Sequence, residues 1–229
     1  ARECIDATRS GIERLGREGE PLVIIDNFTG QPERLRQMGM AAQYHPAGVD
    51  YPGRRALADP SYLDLRRELM MQVMARVFGL SRGISCEVAA FSLVTLQPEQ
   101  LSPRQRIPHH DHSDAGRVAI MHYLDGPESG GTAFYRHRRT GFEAITPERE
   151  AAYAAALAED ERDFGPPPPG YPLGDSAAFE QIGAVEARPD RLALYRGRQL
   201  HSGIIPDPAA LSDDPATGRL TVNMFLFGS

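Results

Sequence analysis

The chain of 229 residues contains no lysine, so arginine supplies all 25 of its basic side chains. Any anion-binding site must therefore use the planar guanidinium group, which pairs with carboxylates and phosphates through two parallel hydrogen bonds. Aspartate and glutamate together number 31, which leaves a net charge of −6. This acidic balance argues against a nucleic-acid partner bound through bulk positive charge.

Cysteine is almost as scarce, with only Cys4 and Cys86 far apart in the chain. Two isolated cysteines exclude a disulfide framework and a thiolate metal cage, and they favour a reducing cytoplasm. No apolar run has membrane-spanning length, and the first residues do not resemble a secretory signal, so we expect no membrane partner. A metal site would have to use histidine and carboxylate ligands.

The first third of the sequence predicts a mixed support region, residues 1–83, in front of a β-rich core. Apolar residues at Ile5, Ile12 and Leu15 predict a weak amphipathic helix within residues 1–20. A short buried strand follows at 22–25, then a helix after Pro32 and a loop over 44–55. Asp59 and Pro60 are typical of a helix start, and helical spacing of apolar residues continues to Val77.

From residue 84 onward the pattern changes to the alternation expected for strands, which predicts an antiparallel sandwich or barrel over residues 84–227 within a single domain, 1–229. One segment, about 143–180, breaks this rhythm with an Ala-rich helix and four consecutive prolines at 166–169. We interpret it as an insertion, either a lid over the site or surface decoration. The predicted strands are 84–96, 117–124, 132–138, 182–187, 191–195, 201–205 and 219–227.

The sequence His109-His110-Asp111-His112 is the strongest candidate for chemistry. Residues two apart on an extended chain point the same way, so His109 and Asp111 can aim at one point. Together with the distant His201 they form two histidines and one carboxylate, the set that non-haem Fe(II) oxygenases use. His110 and His112 form a second such pair, which leaves His112 as an alternative ligand, and a surface histidine cluster that binds metal adventitiously is the simpler explanation.

Arg219 begins an otherwise apolar strand. In that strand Val222, Met224 and Leu226 share one face, and the opposite face carries Arg219, Thr221 and Asn223. A buried guanidinium needs an anionic partner, which predicts a carboxylate ligand at this position. An ordinary salt bridge at the end of a strand is the alternative.

The order of these motifs resembles the 2-oxoglutarate/Fe(II)-dependent oxygenase superfamily, particularly its prolyl-hydroxylase-like branch. The motifs that carry the resemblance are Pro108–Asp111, Tyr123-Leu124, Gly130–Phe134, Arg191–Tyr195, His201–Gly203 and Arg219–Thr221. The resemblance implies a double-stranded β-helix, which is a jelly-roll or cupin-like barrel, with the N-terminal helices packed on the outer face of one sheet.

The resemblance also implies the cofactors and the reaction. Fe(II) would be held by His109, Asp111 and His201, with 2-oxoglutarate as co-substrate anchored on Arg219, and O₂ as oxidant. Thr221 and Tyr123 would add hydrogen bonds to 2-oxoglutarate, although a core role for Tyr123 is the alternative. The expected activity is hydroxylation of a C–H bond in an amino acid, a peptidyl residue or a small metabolite.

Several arginines bear on the substrate. The segment Tyr51–Arg55 is a candidate substrate loop. Two groups of arginines in the core region allow two interpretations: they lie at solvent-exposed ends of strands, or they face the mouth of the barrel and favour an anionic substrate. These groups are Arg136, Arg138 and Arg139, and Arg196 and Arg198.

Three other functions stay open at this point. One is a cupin-like metalloprotein that does not use 2-oxoglutarate, and another is a zinc hydrolase built on His109, His110 and His112. The third is a structural or regulatory binding protein. The sequence sets neither the substrate nor the oligomeric state.

Overall fold

A computed structural model of the chain describes residues 3–6 and 10–229, with side chains from residue 11 onward. Within these residues the protein is mainly β, with three α-helices and twelve strands. The helices are α1 Pro32–Ala41, α2 Arg67–Arg76 and α3 Glu150–Phe164. The strands are β1 Glu3–Asp6, β2 Ser10–Leu15, β3 Glu20–Ile25, β4 His45–Pro46, β5 Gly53–Leu57, β6 Ser85–Val94, β7 Arg117–Tyr123, β8 Gly131–His137, β9 Phe179–Glu186, β10 Arg191–Arg196, β11 His201–Ile204 and β12 Arg219–Phe227.

The strands form two antiparallel sheets. The larger has nine strands in the order β1-β2-β3-β10-β7-β12-β6-β5-β4, and the smaller has the order β11-β8-β9. The prediction of a mainly β fold with antiparallel sheets is confirmed, and the two sheets do not join into a closed barrel. Residues 98–116 between β6 and β7 run as turns and short 3₁₀ helices containing Pro98, Pro103 and Pro108. Proline cannot donate to a strand ladder, so only the isolated bridge between His109 and His201 links this segment to β11.

The larger sheet has hydrophobic clusters on both of its faces. Its outer face packs against α1 and α2, where Val222, Met224 and Leu226 of β12 share a core with Leu35 and Met74. This is the face that the alternation in the sequence predicts for those three residues. The opposite residues of β12 therefore point toward the smaller sheet.

Between the two sheets lies a second core, in which Tyr123 and Tyr195 of the larger sheet meet Phe134 and Val185 of the smaller. The far face of the smaller sheet is covered by α3 through Tyr153. The molecule is thus layered as helices, large sheet, small sheet and helix. A site between the sheets is shielded on both sides.

The helix predicted within residues 1–20 is wrong over its described part. Residues 10–15 form β2, in which Ile12 pairs with Val23 of β3. A three-residue apolar spacing is weakly helical, but the neighbouring hydrophobic strand offers a full hydrogen-bond ladder, and this tertiary contact decides the conformation. The side chains of Cys4 and Ile5 lie outside the described residues.

Two further segments differ in detail from their predictions. The helix expected from Asp59 to Val77 begins as a 3₁₀ helix, Pro60–Arg66, and becomes α2 only at Arg67. Asp59 does cap it, because its Oδ1 accepts a hydrogen bond of 2.9 Å from the Ser61 amide. The loop expected over 44–55 contains β4 and the start of β5, which pairs with β6.

The predicted insertion at 143–180 contains α3 and the proline run. Among the described residues, no helix has both the length and the apolar character needed to cross a membrane.

Candidate metal centre

His109 and His201 are brought together by a reciprocal pair of backbone hydrogen bonds. The His109 amide donates to the His201 carbonyl at 2.9 Å, and the His201 amide donates to the His109 carbonyl at 2.8 Å. Two residues further on, the Asp111 amide donates to the Gly197 carbonyl at 2.7 Å. The turn-rich segment before β7 is therefore fixed against β11 and the loop that precedes it.

This backbone arrangement gathers three side chains at one point. His109 Nε2 lies 3.8 Å from Asp111 Oδ1, and His201 Nε2 lies 3.5 Å from Asp111 Oδ2. All three ligand atoms lie within 4.8 Å of one another. His201 Nδ1 donates to the Gln199 carbonyl at 2.8 Å, so its Nε2 lone pair points into the site, as in metal-binding histidines with an oriented ring.

The electrostatics of the site suit a cation. Desolvation in the cavity and, to a smaller extent, the nearby His201 together lower the pKa of His109 to about 4. Burial also lowers the pKa of His201 to about 4. Burial raises the pKa of Asp111, while the adjacent His109 and His112 act in the opposite direction. Both imidazoles are therefore neutral at physiological pH, the form that binds metal.

The alternative ligand His112 is not part of this group. Its Nε2 lies 3.3 Å from Arg117 Nη1, and its ring meets Phe225 edge-on at 5.5 Å between centroids. His110 turns toward α3, with 6.1 Å between its ring centroid and that of Tyr153. A zinc site built from His109, His110 and His112 does not match this arrangement.

The three side chains face a cavity of about 1020 Å³ between the sheets. Tyr153 of α3 and Tyr171 of the loop after it form part of the cavity wall, so the inserted segment encloses one side of the site. Asn223 and Phe225 of β12 line the floor. A cavity of this size accommodates a small co-substrate together with a second small molecule.

Arg219 lies in the same cavity with 8% of its surface exposed. Its Nε donates to the Ser129 carbonyl at 2.8 Å and its Nη2 to the Gly131 carbonyl at 3.0 Å. No carboxylate of residues 11–229 forms an ion pair with it, so the strand-end salt bridge considered above is absent there. The remaining N–H groups of this buried cation are left for a ligand.

The double glycine at 130–131 positions these carbonyls. Gly130 has a φ of 91° and Gly131 a φ of 152°. A Cβ on Gly131 would lie 2.0 Å from the Val185 carbonyl oxygen, so no other residue fits there without moving the backbone. The turn thus provides the chain reversal that the sequence predicts and also presents the carbonyl groups that bind Arg219.

Two of the residues predicted to contact 2-oxoglutarate do not line the cavity. The Thr221 hydroxyl donates to Asn223 Oδ1 at 2.8 Å, so the side chain that faces the cavity is Asn223. The Tyr123 hydroxyl is buried and lies 2.7 Å from Thr132 Oγ1, and burial raises the pKa of Tyr123 to about 12. Tyr123 therefore belongs to the core between the sheets, and Thr132 is the member of this pair that reaches the cavity.

The structure adds two tyrosines, Tyr171 and Tyr195, that sequence reasoning did not place at the site. Tyr195 lies 4.8 Å from His201 between ring centroids and lines the cavity with Tyr171 and with Tyr51 of the candidate substrate loop. The alternation in β10, where Leu192 and Leu194 face the helices, could have placed Tyr195 inside. Nothing in the sequence around Tyr171 predicts its position, because a long loop delivers it.

Most of the arginines considered for substrate binding are used elsewhere. Arg136 pairs with Glu143 and Glu180, and Arg139 pairs with acidic residues of α3. Arg196 and Arg198 both pair with Glu20, and Arg138 pairs with Asp175. In the described part of the chain, the arginines that line the cavity are Arg55, Arg104 and Arg219.

The fold and the site together describe a two-sheet β protein with two histidines and one aspartate at an interior cavity. The chain belongs to a family of unknown function, DUF6445, whose family model matches residues 6–226. No curated protein matches the sequence.

Two solved structures that align with this chain illustrate the comparison. The non-haem α-ketoglutarate-dependent carbocyclase SnoK, from nogalamycin biosynthesis, aligns with a TM-score of 0.51 and 12% identity, covering 91% of this chain and 80% of SnoK. HygX from Streptomyces hygroscopicus, solved with nickel, 2-oxoglutarate and hygromycin B, aligns with a TM-score of 0.48 and 14% identity, covering 91% of this chain and 83% of HygX. At such identities the likeness to SnoK concerns the fold alone.

Proposed function

We propose that this protein is an Fe(II)- and 2-oxoglutarate-dependent oxygenase that hydroxylates a C–H bond of a small organic molecule or a peptidyl residue. The observation that carries the proposal is one cavity that holds both the His109–Asp111–His201 group and the Arg219 guanidinium, which has no carboxylate partner among residues 11–229. The first suits a divalent cation with open coordination positions, and the second suits a carboxylate.

Each residue has a defined task in this proposal. His109, Asp111 and His201 hold Fe(II), and the hydrogen bond from His201 to the Gln199 carbonyl fixes the ring that binds it. Arg219, oriented by the Ser129 and Gly131 carbonyls, binds the distal carboxylate of 2-oxoglutarate. When bound, Fe(II), 2-oxoglutarate and O₂ supply the oxidising chemistry, and the chain supplies orientation and exclusion of water.

The co-substrate contacts differ from the sequence expectation. Asn223 and Thr132 line the cavity, whereas the hydroxyls of Thr221 and Tyr123 are each engaged by these neighbours. We therefore assign Thr221 and Tyr123 a supporting role behind Asn223 and Thr132, and not direct contact with 2-oxoglutarate.

The likeness to SnoK supports the proposal at the level of fold, because that fold accommodates an α-ketoglutarate-dependent non-haem enzyme. A fold alone does not define a reaction, so the weight rests on the site. A cupin-like protein without 2-oxoglutarate, or a hydrolase with zinc on the same three ligands, would not need a buried and unpaired Arg219. The scarcity of cysteine and the need for ferrous iron both suit a reducing cytoplasm, which is part of the proposal.

The test is Fe(II)-dependent conversion of 2-oxoglutarate to succinate by anaerobically loaded protein after addition of O₂. We expect turnover with Fe(II), none with Zn(II), and loss of 2-oxoglutarate binding in Arg219→Ala with metal binding unchanged. Arg138→Ala is the matched control, because Arg138 is exposed, does not line the cavity and pairs with Asp175. Absence of 2-oxoglutarate binding by the wild-type protein would contradict the proposal.

A further inference from the structure

Arg55 is a second cation in the cavity, and the proposed function does not use it. Its guanidinium carbon lies 4.3 Å from the centroid of the Tyr51 ring, a cation–π contact that holds the side chain in place. Its Nε is buried and has no hydrogen-bond partner. No residue of 11–229 forms a hydrogen bond or an ion pair with the Arg55 side chain.

Arg55 is half-buried, and its buried Nε is costly without a partner, because it forfeits the hydrogen bond that it would make with water. Every other buried or half-buried arginine discussed above has a carboxylate or a backbone carbonyl to bind. Arg55 is the exception, and it lines the same cavity as Asp111 and His201 of the candidate metal centre. The position calls for an anion that residues 11–229 do not provide.

The co-substrate accounts for only one such anion. In the proposed function, one carboxylate of 2-oxoglutarate lies at the metal and the other at Arg219. Arg55 lies on β5 and Arg219 on β12, on opposite sides of β6, where Arg55 is opposite Ser92 and Arg219 is opposite Val94. The two guanidinium groups therefore enter the same cavity from different strands and are separate binding points.

We propose that Arg55, held against Tyr51, binds an oxyanion group of the substrate, so that the enzyme acts on small organic acids. This inference rests on the proposed function in so far as the bound anion is called a substrate. The anion site itself does not depend on the proposed function. A planar guanidinium recognises a carboxylate or a phosphate through paired hydrogen bonds, and either group would satisfy the geometry.

The remaining charges of the cavity do not cancel this preference. Asp50 and Glu150 also line it, but both are exposed and therefore solvated. Arg104 is exposed as well. Exposed charges interact weakly across water, so the half-buried Arg55 dominates the choice of ligand.

The experiment measures anion binding directly. Protein loaded with Ni(II) and saturated with 2-oxoglutarate is titrated with sodium acetate or sodium sulfate against chloride at equal ionic strength, and the thermal unfolding midpoint is followed. Acetate tests the carboxylate source and sulfate the phosphate-like source. The variants are Arg55→Gln, Arg55→Lys and the neighbour Arg54→Gln, whose side chain donates to the Tyr44 carbonyl and does not line the cavity.

We expect a saturable rise of the midpoint in the wild-type protein and in Arg54→Gln. In Arg55→Gln the half-saturating anion concentration should increase by about tenfold or more, since a hydrogen-bonded charged partner is lost. The half-saturating concentration of Arg55→Lys should lie between these two values, because lysine keeps the positive charge but cannot form the two parallel hydrogen bonds of a guanidinium group. Equal titrations in wild type and Arg55→Gln, or no saturable rise in the wild type, would overturn the proposal.

A parallel titration with 2-oxoglutarate separates this inference from the proposed function. Arg55→Gln should bind 2-oxoglutarate as the wild type does. If Arg55→Gln loses that binding, Arg55 belongs to the co-substrate site and the inference is wrong. If the wild type fails to bind 2-oxoglutarate, the proposed function fails, while the anion titration on Ni(II)-loaded protein still decides whether Arg55 holds an anion.

Discussion

Two clusters of histidine and aspartate lie on opposite faces of the nine-stranded sheet, and they differ in how completely the aspartate is hydrogen-bonded. On the helix side, Asp190 accepts hydrogen bonds from His122 and from the backbone of Thr29 and Gly30. On the cavity side, the Asp111 carboxylate accepts none from any described residue, and its nearest partners are imidazole nitrogens at 3.5 and 3.8 Å.

The difference indicates what each cluster does. The ring of His122 is held at both nitrogens, by Tyr62 at 3.0 Å and Asp190 at 2.9 Å, so this cluster ties the 3₁₀ helix and the loop before α1 to the sheet. It is complete without any ligand. The cavity cluster is incomplete and keeps its lone pairs directed at one point, which is the arrangement expected of a binding site.

The largest contrast should come from the same substitution on the two faces. Asp190→Ala leaves His122 and the Thr29 and Gly30 amides unpaired in the core, so the free energy of unfolding should fall by about 3–5 kcal/mol. Asp111→Ala removes a carboxylate that has no hydrogen bonds, so the metal-free protein should change by less than about 1 kcal/mol. Denaturant unfolding of both variants measures the difference, and similar losses in the two would contradict the distinction.

Metal binding should show the opposite order. Asp111→Ala and His201→Ala each remove a proposed ligand, so affinity for a divalent cation should fall by more than about 100-fold. The exposed His45 on β4 offers a control, because His45→Gln should bind metal as the wild type does. Calorimetric titration with Co(II) tests this, and unchanged affinity in either ligand variant would refute the assignment.

The His122–Asp190 cluster should also make the free energy of unfolding depend on pH. Burial lowers the pKa of His122. Burial alone would raise the pKa of Asp190, but the hydrogen bonds that Asp190 accepts lower it overall. Both groups therefore bind fewer protons folded than unfolded, and stability should be lost on acidification, beginning below about pH 6.5 for His122 and about 3.9 for Asp190. In His122→Gln the slope between about pH 6 and 4 should be smaller by up to about 1.4 kcal/mol per pH unit. The cavity histidines are common to both proteins and cancel, so identical slopes would show that His122 does not titrate in this way.

The smallest effect on stability is expected at Tyr62, at the edge of the His122–Asp190 cluster. Tyr62→Phe removes one hydrogen bond to His122 Nδ1 and keeps the ring contacts with Phe28 and His122, so unfolding should become easier by about 1 kcal/mol. Turnover of 2-oxoglutarate should be unchanged, since Tyr62 lies on the helix side of the sheet. A loss of turnover without a loss of stability would mean that the two faces communicate.

The same comparison separates what the sequence predicts from what only the structure provides. His109 and Asp111 share a direction because of local spacing, and the alternation in β12 puts Arg219 inside, so these positions follow from short-range pattern. The prediction that His201 is the third ligand depended on the order of motifs along the chain. The side-chain pairings did not follow from either, because Thr221 and Asn223 both point inward and only their mutual hydrogen bond decides which one reaches the cavity.

Long-range contacts account for the remaining differences. Residues 10–15 become a strand because β3 lies beside them, and Tyr171 reaches the cavity through a loop whose sequence has no periodicity. None of these features is encoded within a window of ten or fifteen residues.

The most direct test of the central claim is an anaerobic crystal structure of the protein with Fe(II) and 2-oxoglutarate, with anomalous scattering recorded at the iron edge. The account predicts one iron bound by His109 Nε2, an Asp111 oxygen and His201 Nε2, with a carboxylate of 2-oxoglutarate on the guanidinium of Arg219. Iron at any other residues, or a co-substrate that leaves Arg219 without a carboxylate, would contradict it.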